Sequence, residues 1–224
     1  MRTIHNVEQG TDEWLELRKG LITSTAIKSF VTPTLKLADN DKTRKAIYKL
    51  ASERITEHLE DGFFSYDMER GSFEEPLARD LYNENNPNPA KQVGFITNVI
   101  GGVTVGFSPD GVVDEDGIIE IKSAKQSIQV ERIVSGQVPV EHLPQIHFGM
   151  LVSGAEWCDF ISYSNGMEMQ VIRVYKDEKI QASLIDGIII AEVQINTTIS
   201  KYKQNSKPFK KAQRVAQITN EITF

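Results

Sequence analysis

Two carboxylates and an amine stand close together near the middle of this 224-residue chain: Asp110 in Ser108-Pro109-Asp110-Gly111, then Glu120 and Lys122 in Glu120-Ile121-Lys122. Alternation along a strand puts Glu120 and Lys122 on one face. If a strand ending at Asp110 pairs antiparallel with the next, all three groups meet at one sheet edge. Magnesium takes hard oxygen ligands, usually one or two carboxylates completed by water and substrate phosphate, so Asp110 and Glu120 are candidate ligands. Such an ion polarises a phosphodiester and acidifies a bound water. Lys122 would position or deprotonate that water, because a nearby cation and partial burial both favour the neutral amine. The same residues admit a plainer account, in which Asp110-Gly111 is a turn and Glu120 and Lys122 are a solvated strand face or a structural ion pair.

Further groups could join them. Glu74 and Glu75 lie side by side in a helical segment, and since adjacent helix positions diverge by about 100°, at most one faces the site. Arg18 with the hydroxyls of Thr23, Ser24 and Thr25 precedes a second helical stretch running to Phe30. Free N–H groups at a helix start and a forked guanidinium suit a phosphate; caps and a surface charge are the plainer reading. Gln145 and His147 do not share a helix face, and His147 is a poor magnesium ligand.

The elements that must hold these groups follow from periodicity and punctuation. Thr11-Asp12-Glu13-Trp14 starts a short helix that Gly20 stops. Apolar residues at helical spacing predict a helix over 42–60, with Gly62 ending it, and another over 68–85, with Phe73, Leu77, Leu81 and Tyr82 inward. From Gln92 the period changes to that of strands: 93–99, 103–108 and 118–121 read as three antiparallel strands. A helix over 140–152 follows with Leu143, Ile146, Met150 and Leu151 inward, then a hairpin of 158–164 and 169–175 across Asn165-Gly166, then a helix over 177–201. A basic tail begins at Lys203.

Composition bounds the setting. With 40% hydrophobic residues the chain can bury one sizeable core, and we read a single domain. A lone cysteine, Cys158, excludes an internal disulfide, a four-cysteine zinc site and an iron-sulfur cluster. No apolar stretch is long enough to span a bilayer, so a soluble, cytoplasmic protein is expected. The net charge of −6 argues against binding nucleic acid by bulk electrostatics, and any such site must be local.

Taken together the motifs resemble the phage lambda-type exonuclease family, the YqaJ-like viral recombinases of the PD-(D/E)xK nuclease superfamily. The resemblance is carried by Val7-Glu8-Gln9-Gly10, Trp14, Leu17-Arg18, Gly20 and Ile22-Thr23, by Gly71 with Glu75, Ala78 and Arg79, and by the two acid motifs. Pro144-Gln145-Ile146-His147-Phe148 and Asp177-Glu178-Lys179 with Ala182-Ser183 extend it. It implies an α/β fold with a restriction-endonuclease-like core, a mixed central sheet flanked by helices. One nuclease domain, 1–224, would then comprise a helical part with a 5′-phosphate pocket (1–66), the metal-site core (67–200) and the basic tail (201–224).

The implied activity is magnesium-dependent, processive 5′→3′ digestion of one strand of linear duplex DNA from a 5′-phosphorylated end. It leaves a 3′ single-stranded tail for phage-type recombination in the bacterial host cytoplasm. Manganese would substitute, calcium would bind without cleavage, and ATP would not be needed. A homotrimeric ring and a single-strand annealing protein are the implied assembly and partner, with no membrane; enclosure of DNA by a ring would reconcile acidic charge with processivity. Carried over, Asp110, Glu120 and the Ile121 main-chain carbonyl are metal ligands, Lys122 is the catalytic lysine, Glu75 a second acid and Gln145 an orienting group. Arg18, Thr25 and Ser108 form the 5′-phosphate pocket, and Met68 falls where a strand-separating wedge belongs, a buried methionine being the plainer alternative. His147 and Ser123, with no proline after the lysine, depart from the family pattern. An endonuclease of the same superfamily and a non-catalytic DNA-end-binding ring are the rival readings.

Overall fold

The structure, a computed structural model, describes residues 1–60 and 65–215. Two four-stranded mixed sheets carry the chain. In the first, the order is β1 (Thr3–His5), β3 (Phe95–Ile100), β4 (Val103–Phe107), β2 (Ile22–Thr23), with β2 parallel to β4 and the other pairs antiparallel. In the second, β5 (Gly111–Val113), β6 (Gly117–Ser123), β7 (Trp157–Tyr163) and β8 (Gln170–Tyr175) follow in order, with β6 and β7 parallel and the outer pairs antiparallel. The expected mixed sheet is therefore present, but its three leading strands do not form one antiparallel run. The strand bearing Glu120 pairs with a short strand that starts right after Asp110 and leaves the β3–β4 hairpin in the other sheet. Three residues are too few for periodicity to register β5.

Helices flank the sheets. Thr11 accepts from the Trp14 amide and starts α1 (Asp12–Arg18), after which Gly20 takes a positive φ of 68°. Asn40 caps α2 (Asp41–Thr56) in a reciprocal capping box with Thr43. This helix stops four residues short of the predicted end, at a left-handed Glu57, and Gly62 lies outside the described residues. The stretch predicted to be helical through Phe30 is instead strand β2 and one short 3₁₀ turn, Ile27–Ser29. Residues 126–135, to which the period reading assigns no element, form α4 (Gln126–Ser135). Its apolar residues face outward and its buried residue is Gln129, so no apolar stripe marks it. The helix expected over 140–152 is a 3₁₀ turn, Val140–His142, followed by α5 (Leu143–Ser153), and Asp177 caps α6 (Glu178–Asn205).

The main core joins both sheets through α5, whose Ile146, Phe148, Met150 and Val152 are buried with Val105, Phe107, Ile118 and Phe160. Cys158 is fully buried there, and burial pushes its thiol well above the ordinary range, which removes it as a nucleophile. α6 is long and apolar enough by length and composition to cross a membrane. Here Leu184, Gly187, Ile188, Ala191 and Ile195 pack into the core, and Glu192 takes a bidentate pair from Arg54 of α2 at 2.7 and 2.8 Å.

The Arg54 hydrogen bonds hold the Glu192 carboxyl below its ordinary range, against the opposing effect of burial. A depressed carboxyl stabilises above its unfolded pKa of about 4.3, and that contribution disappears as pH falls through the folded value. Glu192→Gln is expected to cost about 2 kcal/mol at pH 7, some 5 °C in Tm. Thermal melts at pH 7 and near pH 3 check this, with the gap between variant and wild type closing at the acid end.

Candidate active site

The two acid motifs meet through strand register. Gly111 pairs with Ile119, so Asp110 stands beside Glu120, and Asp110 Oδ2 accepts from the Ile121 amide at 2.6 Å. Glu120 is 2% exposed; its Oε1 accepts from both Lys122 Nζ and Gln145 Nε2, which reaches across from α5. The Asp110 carboxyl is pushed well above its ordinary range by burial first, then by the charges of Glu120 and Glu75. Asp110, Glu120 and Lys122 thereby meet as their spacing predicted, and Glu75 and Gln145, which the family resemblance implied, join them.

Burial lowers the affinity of the Lys122 amine for a proton, but Glu120, Asp110 and Glu75 together outweigh burial, and the pKa is raised. Three acids around one lysine hold it protonated. Lys28, on the turn after β2, adds a second ammonium whose pKa is lowered by burial and then by Lys122. Nothing in the spacing signalled it. His142, pushed down to about 3 by burial and by Lys28, Lys122 and Arg132, is a neutral neighbour.

The paired glutamates divide as helix geometry requires on α3 (Tyr66–Glu84). Glu75 turns to the cluster and Glu74 turns away to accept from Ser123 Oγ at 2.6 Å, while Arg70 Nε donates to the same hydroxyl at 2.9 Å. Ser123, the departure after the lysine strand, thus ties the end of β6 to α3. The inward face of α3 is Glu74, Ala78, Arg79 and Tyr82; Phe73 and Leu77, expected inside, are 68% and 41% exposed. α3 packs most closely on β6, where Ala78 and Tyr82 join Ile119 and Ile121 in a second apolar cluster while Glu74 and Arg79 turn to the Ser123 hydroxyl and the Asp110 carbonyl. Arg79 donates to the Asp110 main-chain oxygen at 2.6 Å and to Glu75 Oε1 at 2.5 Å. The i,i+4 spacing of Glu75 and Arg79 was the available signal for it.

Ser108 lies two residues before Asp110 and accepts from Arg18 Nη1 at 2.8 Å and Trp14 Nε1 at 2.9 Å. With its oxygen taken by two donors, its hydroxyl proton is free to point at an anion. Arg18 stacks on Trp14, 4.1 Å from the ring centroid, and burial pushes its pKa down to about 10, which leaves it cationic at neutral pH. Gln9 Nε2 fixes the same loop through the Pro109 and Val93 carbonyls. Thr25 is exposed and makes no side-chain hydrogen bond to Arg18 or Ser108. It nonetheless follows β2 at the end where Ser108 follows β4, because Thr23 pairs with Gly106. With a three-residue turn in place of a helix, helix-terminal N–H groups drop out of this pocket. Met68 is 52% exposed at the start of α3, which removes the buried alternative. His147 is buried with Nδ1 unpartnered, remote in role from the acids.

A family model described as the YqaJ-like viral recombinase domain matches residues 13–156, well over half of the chain and all of the residues just described from Trp14 to Gln145. The chain belongs to this family. No curated protein matches it significantly. The crystal structure of an alkaline exonuclease from Laribacter hongkongensis (LHK-Exo) superposes with a TM-score of 0.78 at 25% identity, covering 89% of this chain and 100% of that one. The same enzyme in complex with dAMP gives 0.76 at 25% identity over the same shares. A phage-related exonuclease from Haemophilus somnus 129PT shares the fold at 11% identity, with a TM-score of 0.59 over 83% of this chain and 97% of that one. The mixed α/β core of this chain is thus the PD-(D/E)xK type that its motifs resemble.

The donor set fits magnesium. Among the described residues no three His, Cys, Asp or Glu side chains form a ready ligand cage. Asp110, Glu120 and the Ile121 carbonyl offer oxygen only, and magnesium, which keeps several waters, suits so sparse a set. Asp110 and Glu120 stand side by side across the β5–β6 pair, and a divalent cation between them would offset their mutual repulsion.

Proposed function

We propose that this protein is a magnesium-dependent 5′→3′ exonuclease that digests one strand of linear duplex DNA from a 5′-phosphorylated end and leaves a 3′ single-stranded tail. The observation that carries the reading is the short loop Ser108-Pro109-Asp110, which joins the Arg18–Ser108 anion pocket to the acid cluster. An enzyme that grips a terminal phosphate and cuts beside it needs those two sites a nucleotide's reach apart. The dAMP complex of the Laribacter exonuclease, a bound 5′-mononucleotide, agrees with release of single nucleotides.

Asp110, Glu120 and the Ile121 carbonyl would hold Mg²⁺, which when bound would supply a Lewis acid for the scissile phosphate and an acidified water. Gln145 holds Glu120 in its rotamer. Lys122 would orient the water and, once its own proton has passed to solvent, would accept the water's proton, while Glu75 would hydrogen-bond on the other side. Met68 wedges between strands at the duplex end, a role that its exposure supports. Manganese substitutes, calcium binds without supporting cleavage, and no ATP is consumed. Processivity comes from a homotrimeric ring around DNA, working in the host cytoplasm beside a single-strand annealing protein, as the family resemblance implies.

End-labelled linear duplex incubated with Mg²⁺ tests this. The expected result is loss of the strand with the 5′-phosphate, mononucleotide products, intact closed circles and a trimer mass by light scattering. Nicking of closed circles would favour an endonuclease of the same superfamily, and a monomer would discard the ring.

A further inference from the structure

Arg79 touches both halves of the acid cluster. It is only 9% exposed, donates through Nε to the Asp110 main-chain oxygen at 2.6 Å and through Nη2 to Glu75 Oε1 at 2.5 Å, and reaches Gln92 weakly at 3.5 Å. Asp110 is gripped from the other side by the Ile121 amide on its carboxylate. Helix α3 and strand β6 therefore hold the two ends of one residue. The two bidentate arginine forks away from the cluster each close on a single carboxylate: half-buried Arg54 on Glu192, and exposed Arg173 on Asp159. Arg79 instead divides its donors between the side chain of one acid and the backbone of another, so its rigid fork fixes their relative placement.

We propose that Arg79 is a positioning residue for cleavage, holding Glu75 in register with Asp110 without touching substrate. This rests on the nuclease reading above. A lysine at the same place would keep the charge and lose the fork, and so could serve one acid but not both.

A double-mutant cycle tests it. R79Q is expected to lower kcat about 30-fold, since misplacement of about 1 Å costs up to about 100-fold, with KM for DNA ends unchanged within about threefold. E75Q alone should slow turnover comparably, and the double variant should be no more than about threefold slower than the slower single, because the two residues act as a unit. R79K should stay at least about tenfold below wild type. Calorimetric titration with Ca²⁺ alone, without DNA or turnover, should show binding to R79Q weakened by about fivefold or more as the Asp110 backbone loses its anchor.

Losses that multiply in the double variant, full activity in R79K, or wild-type Ca²⁺ affinity in R79Q would each overturn the assignment. If R79Q does not fold, R79K carries the same comparison with E75Q. A wild-type protein that releases no nucleotide with Mg²⁺ defeats the nuclease reading instead, and the Ca²⁺ titration then decides on Arg79 by itself.

Discussion

Lys122→Ala is expected to reduce magnesium-dependent nucleotide release by about 1,000-fold, within the range that a positioned proton acceptor contributes, while binding of duplex ends in Ca²⁺ stays near the wild-type level. The amine sits two residues from Glu120 on the same strand face and is paired with its carboxylate. Its raised pKa records how strongly Glu120, Asp110 and Glu75 hold the proton there, against burial. A lysine in that state is a poor base until positive charge arrives beside the acids, which couples its activation to the occupied site. Removing the amine leaves Glu120 with its Gln145 hydrogen bond, so the sheet edge keeps its shape. Lys122→Met, which keeps the apolar stem, separates chemistry from packing: it should be as slow as the alanine variant and melt close to wild type. Turnover within about tenfold of wild type in both variants would take the lysine out of the mechanism.

The parts of this site that could be read from sequence are those set by local geometry. Period-two alternation fixed the face shared by Glu120 and Lys122, and a turn beside a strand fixed the place of Asp110. The 100° step of a helix separated Glu75 from Glu74. What escaped was set by tertiary partners. Phe73 and Leu77 have the helical spacing of a core stripe, yet α3 turns Glu74 and Arg79 inward because Ser123 and the Asp110 carbonyl wait there. Gln129 hides α4 in the same way, being buried to serve the Ser162 and Glu168 carbonyls. Asp159, buried on β7, is matched by Tyr82 and Arg173, residues 77 and 14 positions away. No periodicity in apolar residues can announce a helix or a strand whose buried face is polar.

Arg18→Ala should erase the preference for a 5′-phosphorylated over a 5′-hydroxyl end, lowering kcat/KM on phosphorylated ends by about 100-fold and changing it little on hydroxyl ends; charge-assisted hydrogen bonds of about 1.5–3 kcal/mol set that scale. The guanidinium is positioned before any ligand arrives, stacked on Trp14 and bonded to Ser108, so little ordering is left to oppose binding. Burial lowers its pKa to about 10, and the cation persists at neutral pH with part of its hydration already removed, which strengthens its pull on a phosphate. Arg18→Lys keeps a charge but can neither fork onto phosphate oxygens nor stack in the same way, and should recover only part of the preference. Ser108→Ala removes the hydroxyl that two donors have turned outward and should weaken the preference less, by about tenfold. Competition between the two end types in one reaction, with each strand labelled, reads the ratio directly. An unchanged ratio in Arg18→Ala would separate the anion pocket from the cutting site, and the Ser108-Pro109-Asp110 loop would then carry only the acid.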